Sequence, residues 1–253
     1  MTRTLGVSLK MYFGYDQTLR WSRTVADLLG NHPALVAGDV RLFLLPSFPA
    51  LPAVAGILRG TPITAGAQNL AAADSGAWTG EVSGVFLREA GARYVEVGHA
   101  ERRTHFGETE EVVADKTAAA LRAGLTPVLC LGERDRMPVA QAVTECRRQL
   151  IDALQTSRRF GLGGSLILAY EPFWAIGAAQ PASDEHITGV CTALRDTVAQ
   201  ESAHPDSSVI YGGSAGPGLA TRLGGGVDGL FLGRFAHDPE ALVKVVEETA
   251  ARA

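Results

Sequence analysis

The chain has 253 residues, a net charge of −4 and an apolar fraction of 46%. That suffices for the core of one large α/β barrel or two small domains, and it leaves no electrostatic footprint for nucleic acid or an anionic membrane. The three cysteines, Cys130, Cys146 and Cys191, are too widely spaced for a metal motif or a disulfide framework, and no apolar run is long enough to cross a bilayer.

The predicted elements alternate from the start. Leu5-Gly-Val-Ser-Leu9 is a short buried strand followed at once by Lys10. Asp16 to Gly30 reads as a helix with Asp16 as its cap and Leu19, Val25, Leu28 and Leu29 as its apolar stripe. Val40 to Leu45 is a second strand, stopped by Pro46, and Pro49 to Leu58 a short helix. Thr61 to Ala65 is the third strand. A long polar loop from Gln68 to Gly80 follows, carrying an exposed Trp78. Glu81 to Ala90 is expected to be helical, with Val82, Val85, Phe86 and Ala90 on one side. Tyr94 to Val97 is the fourth strand and ends in Gly98-His99.

The second half keeps the rhythm. Glu108 to Ala123 is a helix that Gly124 stops. Thr126 to Leu131 is the fifth strand, closed by Gly132-Glu133, and Val139 to Phe160 one long amphipathic helix. Ser165 to Ala169 is the sixth strand, and the region of Ser183 caps a helix reaching about Ala203. Ser208 to Tyr211 is the seventh strand, before Gly212-Gly213-Ser214 and a short helix from Pro217 to Leu223. Val227 to Leu232 is the eighth, before Gly233-Arg234 and a final helix with Asp238 as cap and Pro239 at its first position. Eight strand-then-helix units without a linker predict a single (β/α)₈ barrel domain over residues 1–253. The strands are mostly apolar runs, as parallel strands covered on both faces should be. An open doubly wound sheet is disfavoured, because Ser8-Leu-Lys10 stands where its glycine fingerprint belongs.

One stretch concentrates the chemistry, Ala169-Tyr-Glu-Pro-Phe-Trp-Ala-Ile-Gly177. It puts the carboxylate of Glu171 at a strand end, just before a loop rich in apolar side chains, as a lid would be. A barrel carries its site at the C-terminal strand ends. There Lys10, His99 and Glu171 follow three different strands of one ring and can converge. Gln68, Asn69, Glu101, Glu133, Ser214 and Arg234 are the other polar residues at those ends. Glu171 suits a general base, His99 a donor or proton shuttle between adjacent oxygens, and Lys10 a fixed charge facing an oxyanion. The glycines after strands seven and eight can offer backbone N–H groups to a phosphate. Proton abstraction beside the carbonyl of a phosphorylated sugar fits these parts, and neither metal nor cofactor is called for.

The chain resembles the triosephosphate isomerases along nearly its whole length. The resemblance rests on Lys10-Met11, Gln68-Asn69 with Trp78-Thr79-Gly80-Glu81, Gly98-His99-Ala100-Glu101-Arg102-Arg103, and Cys130-Leu131-Gly132-Glu133. It continues through the Glu171 stretch, Tyr211-Gly-Gly-Ser214 and Val227-Asp-Gly-Leu-Phe-Leu-Gly233. It implies Glu171 as base, His99 as electrophile, Lys10 as the cation and Glu101 as the partner of Lys10. It implies Gly177, Ser214 and Gly233 as phosphate donors, and a homodimer in which the Trp78 loop docks into the partner. In that family, a standing example of the effect, a helix N-terminus keeps the histidine neutral and lid closure excludes water.

The departures from the family pattern bear on the substrate. Ser8 replaces the usual Asn two residues before the Lys, and Ala100 the Ser after the His. The later half of the lid reads Ala178-Ala-Gln-Pro181, and Arg234 stands for the second glycine after strand eight. Ser8 leaves room for one more carbon and keeps a hydroxyl for it, while Arg234 adds a charged contact for phosphate. These features resemble the relatives that interconvert erythrulose phosphates. Three readings follow: an isomerase of triose phosphates, an isomerase of four-carbon ketose phosphates, or a barrel that binds sugar phosphate with little turnover. Retention of Lys10, His99 and Glu171 together favours an enzyme. The opening Met1-Thr-Arg-Thr-Leu-Gly6 lacks an apolar signal core, so a cytoplasmic protein is expected.

Overall fold

The computed structural model describes residues 2–252. Its strands are β1 (Arg3–Ser8), β2 (Val40–Leu45), β3 (Thr64–Ala67), β4 (Tyr94–Val97), β5 (Thr126–Leu131), β6 (Ile167–Tyr170), β7 (Ser208–Tyr211) and β8 (Gly229–Leu232). All neighbours pair in parallel, and β1 pairs with β8, so the sheet closes into a barrel. Around it run α1 (Tyr15–Leu29), α2 (Pro33–Val36), α3 (Leu51–Ile57), α4 (Gly84–Glu89), α5 (Ala100–His105) and α6 (Glu110–Arg122). They are followed by α7 (Val139–Ala153), α8 (Gln155–Arg159), α9 (Asp184–Val198), α10 (Leu219–Leu223) and α11 (Pro239–Ala250). This is the (β/α)₈ barrel that the strand–helix alternation predicts.

Strand residues alternate between two buried layers, because successive side chains leave opposite faces. Phe43, Leu45, Tyr94, Val128, Cys130, Ile167, Ala169, Ile210 and Phe231 fill the barrel interior. Val7, Leu44, Val95, Val97, Leu129 and Leu168 face outward and pack in the larger core with Val25, Val113, Leu150 and Leu194 of the helices. At the closing seam Thr4 pairs with Gly229, and a Cβ on Gly229 would stand 1.7 Å from the Thr4 carbonyl oxygen. Only glycine allows the last strand to come that close to the first. No helix among the described residues is long and apolar enough to cross a membrane.

Several local expectations are corrected. The third strand starts at Thr64, not Thr61, because Thr61 is spent on a turn. Its hydroxyl donates to the Leu58 carbonyl and accepts from the Ile63 N–H. The first helix is capped by Gly14, and Asp16 lies inside its first turn, where a negative charge still favours the helix end. α6 begins after Thr109, whose hydroxyl accepts from the Val112 N–H. Glu108 is instead a buried acceptor for Arg102 and Lys116. The long helix from Val139 breaks at Leu154 into α7 and α8. Leu87, not Phe86, is the buried anchor of α4, and Val85 and Phe86 are exposed.

Candidate active site

The loop after β1 sets the cation. Lys10 has a left-handed backbone, φ 48°, unusual for a residue with a side chain. It is held there from three sides. The Gln68 amide donates to the Lys10 and Leu45 carbonyls, the Ser47 hydroxyl donates to the Lys10 carbonyl, and Nζ bonds Glu101 Oε1 at 2.6 Å. Burial would lower the Lys10 ammonium, but the Glu101 hydrogen bond and the charges of Glu171, Glu101 and Glu96 outweigh it and raise it. Burial would likewise raise Glu101, yet its bond to Lys10 and the charges of His99 and Lys10 hold it below the usual carboxylate range.

β4 delivers His99 as the N-cap of α5. Its Nδ1 accepts the Glu101 backbone N–H at 3.1 Å, so the ring hydrogen belongs on Nε2. That Nε2 is buried without a hydrogen-bond partner, and so is Oε2 of Glu171, 3.7 Å away. Orphaned buried polar atoms are rare, and two facing each other mark a place prepared for a guest.

Glu171 stands at the end of β6, only 7% exposed. Its backbone N–H donates to the Leu131 carbonyl. After β7, Gly212 lets the carboxylate settle, since a Cβ there would meet Glu171 Oε1 at 2.7 Å. The chain beyond Glu171 forms a short 3₁₀ turn, Phe173–Ala175, and lies against the β7 loop. Ser214 Oγ lies within hydrogen-bond reach of the Ala175 and Ala178 carbonyls, at 3.0 and 2.7 Å, and the Ala182 N–H donates to the Tyr211 hydroxyl. The buried Glu133 accepts from the Tyr170 hydroxyl and from Trp174 Nε1, and His186 Nε2 is 3.1 Å from it. Glu133 thus anchors the base of the loop after β6 and is not part of the cavity lining. Asn69 is also structural, accepting from Lys116.

These groups line a cavity of about 660 Å³ at the C-terminal mouth of the barrel. Its lining includes Ser8, Lys10, His99, Glu101 and Glu171, and also Gly177, Ser214, Gly233 and Arg234. Among the described residues, the backbone N–H groups of Gly177, Ser214 and Gly233 have no backbone acceptor. Ser214, like Lys10, has a positive φ, 55°. Every residue to which the sequence assigns a chemical or binding role is therefore in this one cavity, while Gln68, Asn69 and Glu133 are outside its lining. Absent from that expectation is Glu96, buried on the inward face of β4, whose Oε2 accepts the Ser8 hydroxyl at 3.0 Å. The signal was available: a carboxylate in the middle of an otherwise apolar strand. Among the described residues, one trio could share a metal ion, Glu96, His99 and Glu171, with ligand atoms within 4.8 Å of one another. An ion there would occupy the lone pairs that a proton transfer needs.

The family model for triosephosphate isomerase matches residues 3–249. The chain belongs to the triosephosphate isomerase family. An L-erythrulose-1-phosphate isomerase of Pectobacterium atrosepticum is 53% identical over 97% of the chain and 95% of the relative. Proteins of the same name from Mesorhizobium japonicum and Rhizobium etli are 38% and 37% identical, each over 98% of this chain and over 97% and 92% of their own lengths. As a member of the triosephosphate isomerase family the chain is a phosphosugar isomerase, an intramolecular oxidoreductase that moves a carbonyl between adjacent carbons.

Proposed function

We propose that this isomerase acts on four-carbon ketose phosphates, converting an erythrulose 1-phosphate into the 4-phosphate by moving its carbonyl. The observation that carries the reading is the facing pair of unpartnered atoms, Glu171 Oε2 and His99 Nε2, beside the Lys10 ammonium. Glu171 takes the proton from the carbon bearing the hydroxyl, and the electron pair forms the new double bond while the carbonyl π pair moves onto its oxygen. Lys10 and the His99 Nε2–H stabilise that oxyanion, with Glu101 holding Lys10 in place. His99 then relays a proton between the two oxygens, and Glu171 returns its proton to the neighbouring carbon. The N–H groups of Gly177, Ser214 and Gly233, with Arg234, would take the phosphate. The names of the relatives support four carbons over three, as does Ser8 in place of the bulkier amide.

The test is an assay on three- and four-carbon phosphoketoses in deuterated water, read by NMR. Deuterium should enter the two central carbons of erythrulose phosphate, with kcat/KM higher than for dihydroxyacetone phosphate. Turnover of the three-carbon substrate alone would make this an ordinary triosephosphate isomerase.

The same reading includes a homodimer of single-barrel chains in the cytoplasm. Trp78 is 60% and Phe86 62% exposed, together with Val85 and Met11, which is more apolar surface than a free loop carries by chance. All three cysteines are buried and unpaired, which suits a reducing compartment. Sedimentation at micromolar concentration is expected to give the mass of two chains, and Trp78→Glu the mass of one. A monomeric parent would remove the Trp78 loop from this role.

A further inference from the structure

Glu96 has no part in the proton transfers described above, and its position needs a reason. It shares the inward face of β4 with Tyr94, two residues before it, and is 3% exposed inside an otherwise apolar layer. Oε2 has one hydrogen bond, from Ser8, and Oε1 has only two distant neighbours, the Cys130 thiol and His99 Nε2, each at 3.9 Å. A buried carboxyl with so few partners is costly, and an apolar side chain would pack there at less expense. Glu96 does not line the cavity, but Ser8 does. A hydroxyl has a single hydrogen. With that hydrogen given to Glu96, Ser8 presents the cavity with lone pairs only.

We propose that Glu96 is a positioning residue that turns Ser8 into a hydrogen-bond acceptor, and so selects substrates carrying a hydroxymethyl group beyond the two reacting carbons. The inference rests on the four-carbon reading above. A four-carbon ketose phosphate has such a terminal hydroxyl in addition to its two reacting oxygens. A triose phosphate has none, because its last carbon is itself reacting. An acceptor on this wall therefore rewards the longer substrate and offers nothing to a carbonyl oxygen, which needs a donor. The groups facing Glu96 are His99 after β4, Glu171 after β6, Lys10 and Ser8 of β1 and its loop, and Cys130 on β5. Burial pushes the Glu96 carboxyl up to about 7; the nearby Glu171 charge adds to the rise, while His99, the Ser8 bond and Lys10 oppose it. Below neutrality a protonated Glu96 can donate to Ser8, whose own hydrogen is then free to turn towards the substrate.

The experiment measures kcat/KM for erythrulose phosphate and dihydroxyacetone phosphate across neutral pH, with the parent, Glu96→Leu, Glu96→Gln, Ser8→Ala and the Ser8→Ala/Glu96→Leu double variant. The ratio between the substrates cancels any pH dependence that both share. The parent ratio should fall as pH drops through neutrality, and Glu96→Gln, which cannot ionise, should flatten that dependence. Glu96→Leu should lower the ratio about tenfold, the size of one hydrogen bond, without loss of melting temperature. Ser8→Ala should lower it similarly, and the double variant no further, because Glu96 works through Ser8. A ratio unmoved in Glu96→Leu, or still titrating in Glu96→Gln, with a parent active on erythrulose phosphate, would overturn the inference alone. A parent inactive on erythrulose phosphate would sink the four-carbon reading and the inference with it. If Glu96→Leu does not fold, the near-isosteric Glu96→Gln decides by the pH dependence of its ratio.

Discussion

Glu171→Asp is expected to lower kcat by about 10²-fold on either length of substrate, with fold and phosphate affinity intact. Shortening the side chain by one methylene withdraws the carboxylate by about 1 Å, and a misplacement of that size costs on the order of 10²-fold. The surroundings do not make up the distance by sliding, because the backbone is fixed. The Glu171 N–H is bonded to the Leu131 carbonyl, and a Cβ on Gly132 would lie only 2.1 Å from the Glu171 carbonyl oxygen. Steady-state kinetics with inorganic phosphate as a competitive probe separates the two effects. Near-normal turnover would remove Glu171 from the role of base.

Lys10→Ala should cost ~10²–10³ in kcat/KM, the usual consequence of losing one donor to a developing oxyanion. The loss should appear at all pH values near neutrality, because the Lys10 ammonium is raised and stays charged throughout that range. A raised cation stabilises the fold below its unfolded value and loses that contribution only as pH climbs through the folded one. The melting temperature should therefore differ little between parent and variant in alkali and more near neutrality. The difference should stay modest, because Glu101 is half-buried and water can solvate it once unpaired. Unchanged kcat/KM would mean that Lys10 does not face the reacting oxygens.

Barrel and site were legible for different reasons. The eight strands could be found because each is a short apolar run ended by Gly, Pro or a charged residue, and parallel burial on both faces leaves little else in such a run. Lys10, His99 and Glu171 stood out as polar residues at the ends of those runs. What escaped depended on partners distant in sequence. Thr61 has strand-like chemistry but bonds back to Leu58, so β3 starts late. Phe86 fits the helical apolar stripe, yet it is exposed while its neighbour Leu87 is buried. α5 leaves no periodic signal because Ala100 to His105 is short and polar, and its start is set by the His99 ring, not by a capping residue type. Glu96 sits inside a strand of apolar neighbours, and its meaning depends on Ser8, 88 positions away.

The left-handed backbones of Lys10 and Ser214 set a limit on how this enzyme can be made sturdier. Each is a residue type that pays about 1–3 kcal/mol to hold such a conformation, and glycine would hold it with less strain. Both positions also carry a side chain with partners of its own, Lys10 Nζ on Glu101 and Ser214 Oγ on the Ala175 and Ala178 carbonyls, and both line the cavity. Selection for heat resistance alone would find glycine attractive at these positions, and its survivors would keep the barrel while losing the chemistry. A useful library would therefore leave positions 10 and 214 untouched and look for gains on the outer faces of the helices.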